Sequence, residues 1–231
     1  MRFTRVLGRG AVVGAALALF SGVAHADGTL VAGGTVGGQL FKAGAGNIFV
    51  KFIGRQAAYT NDLYYYLTVG GPNQFLFRND MGNIGNTYDA TLSSGLAAGA
   101  EVIFSICSNL GAAPAATGCT TANQYYMGPA GRNPDTQFHA AVWTREAYLA
   151  GCAATPQHCN PDVATLLADT QFNLVVGFED SFNYNIDADF NDVVFAVRGA
   201  SVVPEPVTMT LLATGLAGMG GAGVFRRRKQ A

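Results

Sequence analysis

Basic side chains are scarce in this chain everywhere but at its two ends. Of its 14 Lys and Arg, Arg2, Arg5 and Arg9 stand at the N-terminus and Arg226, Arg227, Arg228 and Lys229 at the C-terminus. Residues 27–203 therefore keep seven, against 14 Asp and Glu. A surface so weighted repels polyanions, which makes nucleic acid and anionic membrane surfaces poor partners. No glycine cluster of residues 27–203 reads Gly-x-Gly-x-x-Gly between a strand and a helix, so its Gly-rich loops are turns and not phosphate cradles. The four cysteines show no two-residue spacing, which argues against zinc and redox motifs. No nucleophile motif accompanies His139, and no internal repeat is present.

Long apolar runs are confined to the ends as well. Arg2, Arg5 and Arg9 precede the apolar run from Ala11 to Val23, and Ala24-His25-Ala26 supplies small residues at the cleavage positions. This pattern reads as a secretory signal peptide over 1–26, cleaved after Ala26, because the run is about half the length of a membrane span. At the other end, Val207 to Phe225 is uncharged and as a helix would extend about 28 Å, close to the hydrocarbon thickness of a bilayer. Its five glycines would cost a soluble helix roughly 1 kcal/mol each. The basic cluster at 226–229 predicts a cytoplasmic end, with the preceding domain on the outer side of the inner membrane.

What remains, 27–203, suits one well-buried domain. Short apolar or aromatic runs separated by Gly, Asn, Asp and Pro predict an all-β, jelly-roll-like sandwich. The expected strands are Ile48 to Ile53, Leu63 to Val69, Phe75 to Phe77, Glu101 to Cys107, Gln137 to Trp143, Phe172 to Phe178 and Val193 to Arg198. Within them Phe172, Leu174, Val176 and Phe178, and likewise Val193, Phe195 and Val197, alternate so as to face a core. One short helix is expected from Asn160, as N-cap, through Pro161 to Leu167. The Gly-rich opening from Gly28 to Gly46 reads as turns. Export predicts disulfides among Cys107, Cys119, Cys152 and Cys159. Three pairings are possible, and the local ones, Cys107 with Cys119 and Cys152 with Cys159, are favoured because each closes a short loop.

The segment from Gly177 to Asp192 is the most informative. It holds Glu179, Asp180, Asp187, Asp189 and Asp192, three Asn and no base. Like charges about 5 Å apart repel by roughly 1 to 3 kcal/mol, so gathering them favours a cation. Asp187 and Asn191 in a straight strand would lie about 13 Å apart, too far to share one ion, so the segment must curl. A hairpin would bring Glu179 and Asp180 against Asp189, Asn191 and Asp192. The opening imitates an EF-hand, but Asp192 replaces the required glycine and Arg198 the closing glutamate, which excludes one. A solvated acidic turn held by Asx bonds is the competing reading.

Two resemblances follow from these residues. Val203-Pro204-Glu205-Pro206, the apolar span over 207–225 and the terminal basic cluster resemble the PEP-CTERM sorting signal of Gram-negative bacteria. This implies processing by an exosortase near Pro204, Glu205 and Pro206 after transient inner-membrane insertion. Delivery would be to the cell surface or to an extracellular polysaccharide (biofilm) matrix. Gly177-Phe178-Glu179-Asp180 followed by Asp187-x-Asp189-Phe190-Asn191-Asp192-Val193 resembles the signature of the domain of unknown function 4114 family. The likeness extends upstream to Tyr59 to Leu63, Gly99 to Phe104 and Asn133-Pro134-Asp135-x-x-x-His139. It implies an exported sandwich binding calcium through Glu179, Asp180, Asp187, Asp189, Asn191 and Asp192. The expectation is a non-enzymatic surface or matrix protein with Ca2+ as its cofactor. Two alternatives stand beside it. One is a polysaccharide hydrolase using Glu179 with Asp189 or Asp192; the other is a self-assembling surface subunit. Tyr64, Tyr66, Tyr125, Tyr126 and Trp143 are candidates for stacking on sugars, though packing inside the domain is the better expectation for most of them.

Overall fold

The computed structural model describes residues 30–57, 59–108, 119, 123–181 and 188–202. The signal peptide over 1–26, Asp187, Pro204, Glu205, Pro206, the span over 207–225 and Arg226, Arg227 and Arg228 lie outside the described residues.

In chain order the strands are β1 (Thr35–Val36), β2 (Leu40–Lys42), β3 (Ile48–Gly54), β4 (Asp62–Tyr66), β5 (Asn73–Arg78) and β6 (Thr87–Ala90). They continue as β7 (Glu101–Cys107), β8 (Gln124–Tyr126), β9 (Ala140–Thr144), β10 (Leu174–Phe178), β11 (Val193–Arg198) and β12 (Ala200–Val202). Between β9 and β10 come α1 (Arg145–Ala154) and α2 (Val163–Leu166). One sheet runs β1-β9-β10-β11-β3-β6. The other runs β12-β2-β7-β4-β5, with β8 also paired to β7. Every pairing is antiparallel.

The inner faces meet in one core that takes Val50 and Phe52 of β3, Leu63 and Tyr65 of β4, Phe104 of β7, Val176 of β10 and Phe195 of β11. Phe104 and Phe195 touch edge to face across it, with ring centroids 5.1 Å apart. The period-2 pattern dictates this: Leu174, Val176 and Phe178 point inward, as do Val193, Phe195 and Val197. Phe172 departs from that expectation. It precedes the start of β10 and packs instead with Trp143, Val175 and Ala196 on the outer face of the first sheet, under the helices.

Among the described residues, two α-helices lie between β9 and β10, where one short helix was expected. α1 begins at Thr144, whose side chain accepts from the Ala147 amide, and Glu146 sits in its first turn. Its alanine-rich composition favours helix, but the small residues beside Cys152 imitate a loop. α2 starts later than expected, because the Asn160 side chain accepts from the Asp162 amide and makes an Asx turn before the helix begins. Other boundaries shift. The Gly-rich opening contains β1 and β2, β4 ends at Tyr66 and β9 starts only at Ala140. Both local disulfides are formed, Cys107 with Cys119 and Cys152 with Cys159. Each lies on an outer face, Cys152 and Cys159 under the helices and Cys107 beside Tyr64, Tyr66 and Tyr126.

Candidate metal centre

One end of the sandwich gathers the acidic residues. β10 and β11 pair as a hairpin with Phe178 opposite Val193, so Glu179 and Asp180 leave one strand where Asp192 enters the other. The Asp192 amide donates to the Phe178 carbonyl at 3.1 Å, and Asp192 Oδ2 accepts from the Asp180 amide at 2.8 Å. Glycine at 177 makes the turn-back possible. A Cβ there would stand 2.0 Å from the Phe190 carbonyl oxygen, which crosses over it. Phe190 itself takes φ 56°, a conformation unusual for a bulky side chain, and buries its ring at 3% exposure.

Glu179, Asp180 and Asp192 each offer an oxygen, all within 4.8 Å of one another, and all three residues are buried. Oxygens on one calcium-sized ion at about 2.3 to 2.6 Å lie within about 5 Å of each other, so the triad fits a single cation. Burial first, then Glu179 and Asp180, with Asp189 adding, push the Asp192 carboxyl up to about 9, against the opposing pull of the Asp180 amide. A cation at the centre would reverse that preference and hold all three ionised.

The sequence groups six ligands, and the structure sorts them. Glu179, Asp180 and Asp192 are the three placed so that they could hold one ion together. Asp189 Oδ1 accepts from the Asn191 amide at 3.2 Å and its Oδ2 from the Asn191 side chain, which also donates to Gln56 Oε1 at 3.1 Å. Asp189 and Asn191 thus brace the loop against the segment after β3, in the manner of an Asx turn. Asp187 lies outside the described residues.

Two elements support the centre from its flanks. His139 precedes β9 and stands opposite Glu179: its carbonyl accepts from the Glu179 amide at 3.0 Å, and its Nδ1 donates to the Glu179 carbonyl at 2.9 Å. Its Nε2 faces Asp135 Oδ2 at 2.9 Å, and its ring stacks on Tyr125 with centroids 3.9 Å apart. The imidazole is therefore engaged by Asp135 and by backbone. Burial, with Asp135, Asp180 and Glu179 nearby, pushes the Tyr125 phenol up to about 12.

The second flank is Asn61, which precedes β4 in the opposite sheet and was not singled out as a ligand in the sequence. Its side-chain nitrogen donates to Asp180 Oδ2 at 2.5 Å. Its backbone is held by Asn79, whose Oδ1 accepts from the Asn61 amide and whose amide donates to the Asn61 carbonyl. Asn61 is fully buried, and its Oδ1 has no hydrogen-bond partner among the described residues. Leaving a buried acceptor so costs roughly 1 to 3 kcal/mol. Next to it the Asp62 carboxylate receives Arg78 Nε at 2.6 Å.

The donor set around the triad is therefore oxygen, since the cysteines at 107, 119, 152 and 159 are in disulfides and His139 bonds elsewhere. Carboxylate and amide oxygens suit a hard divalent cation. The tyrosines and tryptophan considered for sugar stacking, Tyr64, Tyr66, Tyr125, Tyr126 and Trp143, are all buried, with Tyr64, Tyr66 and Tyr126 in a cluster on an outer face. A cleft of about 480 Å³ lies away from the triad, lined by residues that include Tyr66, Asn73, Tyr126 and Arg132.

Residues 96–200 match the family described as Domain of unknown function (DUF4114). The matched span includes Asp135, His139, Glu179, Asp180, Asp189, Asn191 and Asp192, and begins after Asn61. No curated protein matches the chain, and no solved structure does.

Proposed function

We propose that this chain is a non-enzymatic protein of the cell surface or extracellular matrix, whose β-sandwich is stabilised by calcium at Glu179, Asp180 and Asp192. The observation that carries the reading is the buried triad, with oxygens within 4.8 Å of one another at the mouth of one hairpin. Three carboxylates at that spacing repel, and a hard divalent cation turns the repulsion into attraction. Calcium is favoured because it accepts irregular, oxygen-only surroundings, whereas magnesium demands near-ideal octahedral geometry.

Export is supported by the N-terminal signal pattern and by the two disulfides, which persist in oxidising compartments. Sorting by an exosortase, with transient membrane insertion and final association with extracellular polysaccharide, rests on Pro204-Glu205-Pro206, the apolar span and the basic end. The polysaccharide association follows from that tail and not from stacking by the buried aromatics. The non-enzymatic reading rests on chemistry: three buried carboxylates with oxygens within 4.8 Å of one another stand closer than the roughly 5 to 10 Å a glycoside-hydrolysing pair needs, and suit a shared cation better.

Thermal melting of the full chain tests the metal. EDTA should lower the midpoint and excess calcium restore it; an identical midpoint in both would end the calcium reading. Mass spectrometry of the native product tests the sorting, since retention of 207–231 contradicts it.

A further inference from the structure

We infer that Asn61 supplies a neutral oxygen to the ion at Glu179, Asp180 and Asp192, so that the metal fastens the two sheets of the sandwich to each other. The inference rests on the metal reading above and adds to it a ligand from the opposite sheet, 119 residues distant from Asp180 in sequence.

The acidic triad belongs wholly to the β10–β11 hairpin. An ion held by it alone would close that hairpin and leave the second sheet untouched. Asn61 changes this, because it precedes β4 and is fully buried with its amide head against Asp180 Oδ2. The nitrogen of that amide donates to Asp180 and, at 3.4 Å, to the Tyr59 carbonyl, whereas Oδ1 is buried with no hydrogen-bond partner among the described residues. The two atoms share one planar amide, so Oδ1 stands no more than an amide width farther from Asp180 than the nitrogen does. A buried amide oxygen next to one of three clustered carboxylates satisfies its lone pairs if it accepts a cation held by them. A neutral amide also completes an oxygen shell without adding a fourth negative charge.

The backbone of Asn61 is placed for this role by its reciprocal bonds with Asn79, and by the Asp62–Arg78 pair immediately after it. Ser108, which follows β7 in the same sheet, donates through Oγ to the Asp180 carbonyl at 3.2 Å and marks a second point where the sheets join at this end. Binding of the ion would therefore tighten a seam that hydrogen bonds already outline.

Calcium titration of the full chain by calorimetry, comparing wild type with Asn61→Ala and Asn61→Asp, is the test. Asn61→Ala should weaken calcium binding by at least about tenfold, the lower end of what losing even an outer partner of a ligand costs. Asn61→Asp should bind calcium more tightly than wild type and be less stable than wild type in EDTA. Hydrogen exchange gives a second readout: calcium should protect the Asn61 and Asn79 amides in the wild type, and in Asn61→Ala should protect only the β10–β11 end. Unchanged affinity in both variants, or calcium that leaves the Asn61 and Asn79 amides unprotected in the wild type, overturns the role of Asn61 and leaves the triad site standing. Should Asn61→Ala fail to fold, unchanged affinity in Asn61→Asp overturns it by itself. A wild type that takes up no calcium overturns the metal reading itself, so the two failures are distinguishable.

Discussion

Two buried charged groups stand at the same end of the sandwich and solve the same problem differently. At the start of β4, Asp62 meets Arg78 at 2.6 Å, both side chains nearly inaccessible, and the chain supplies its own cation. At the end of β10, Asp192 meets Glu179 and Asp180, and burial, followed by those like charges, drives its carboxyl up to about 9. The first arrangement is complete in the sequence as synthesised. In the proposed reading the second is completed by something added from outside, a proton or a metal ion, which would make the hairpin responsive while the Asp62–Arg78 pair is merely stable.

The contrast is open to attack from several sides. Arg78→Met should produce the largest effect, because it converts the self-sufficient pair into a buried carboxylate without its guanidinium. A loss of about 3 to 5 kcal/mol is expected by urea denaturation. The loss should be the same with calcium and with EDTA; a loss that calcium abolishes would merge the two groups into one site. Gly177→Ala comes next, since a methyl group would stand 2.0 Å from the Phe190 carbonyl oxygen and push the returning strand away. Here about 2 to 3 kcal/mol should be lost, together with the stabilisation by calcium.

Asp192→Asn works in the opposite direction. The amide oxygen can still accept from the Asp180 backbone, and the fold no longer has to take up a proton at this position, so the protein in EDTA at neutral pH should gain roughly 1 to 3 kcal/mol. The same variant should lose most of its response to calcium. A destabilised variant that still responds would show that Asp192 is a structural acceptor and not a ligand.

pH probes the site without any substitution. The Asp192 carboxyl sits near 3.8 in its ordinary state and about 9 in the metal-free fold. Between those values the folded protein binds the extra proton, so metal-free stability should fall as pH rises from about 4 toward 9, by at most about 1.4 kcal/mol per pH unit for one proton. Excess calcium should flatten or reverse this slope, and Asp192→Asn should remove its contribution. Melting curves in EDTA across that range, for wild type and variant, supply the check.

Much of the fold can be read from the local pattern. The expected bounds of β7 and β11 agree with the structure, since each apolar run is bracketed by turn residues and alternates with period two. β2, β8 and β12 are only three residues each, too short for a period to show, and exist because a neighbouring strand offers its edge. α1 is hard to read from sequence because Ala, Gly and Cys around Cys152 suit a loop equally, and its cap, Thr144, directly follows an expected strand. Phe172 continued the alternation of β10 on paper, yet the strand starts two residues later and the ring turned to the helices.

The site divides in the same way. Glu179, Asp180 and Asp192 were legible because one hairpin holds them and strand pairing alone brings its two ends together. Asp189 and Asn191 carried the same residue chemistry, and only the curl of the loop decided that they would bond to each other and to Gln56.

What the sequence by itself determined is the charge: an acidic domain, a segment of five carboxylates without a base, and alternating runs that commit the chain to two sheets. Only the tertiary structure decided which acids share a centre, that His139 brackets Glu179, and that Asn61 arrives from the other sheet. The reason is physical. Composition and period act over a few residues, whereas Asn61 and Asp180 lie 119 positions apart in the chain, and only packing of the two sheets brings them into hydrogen-bond contact.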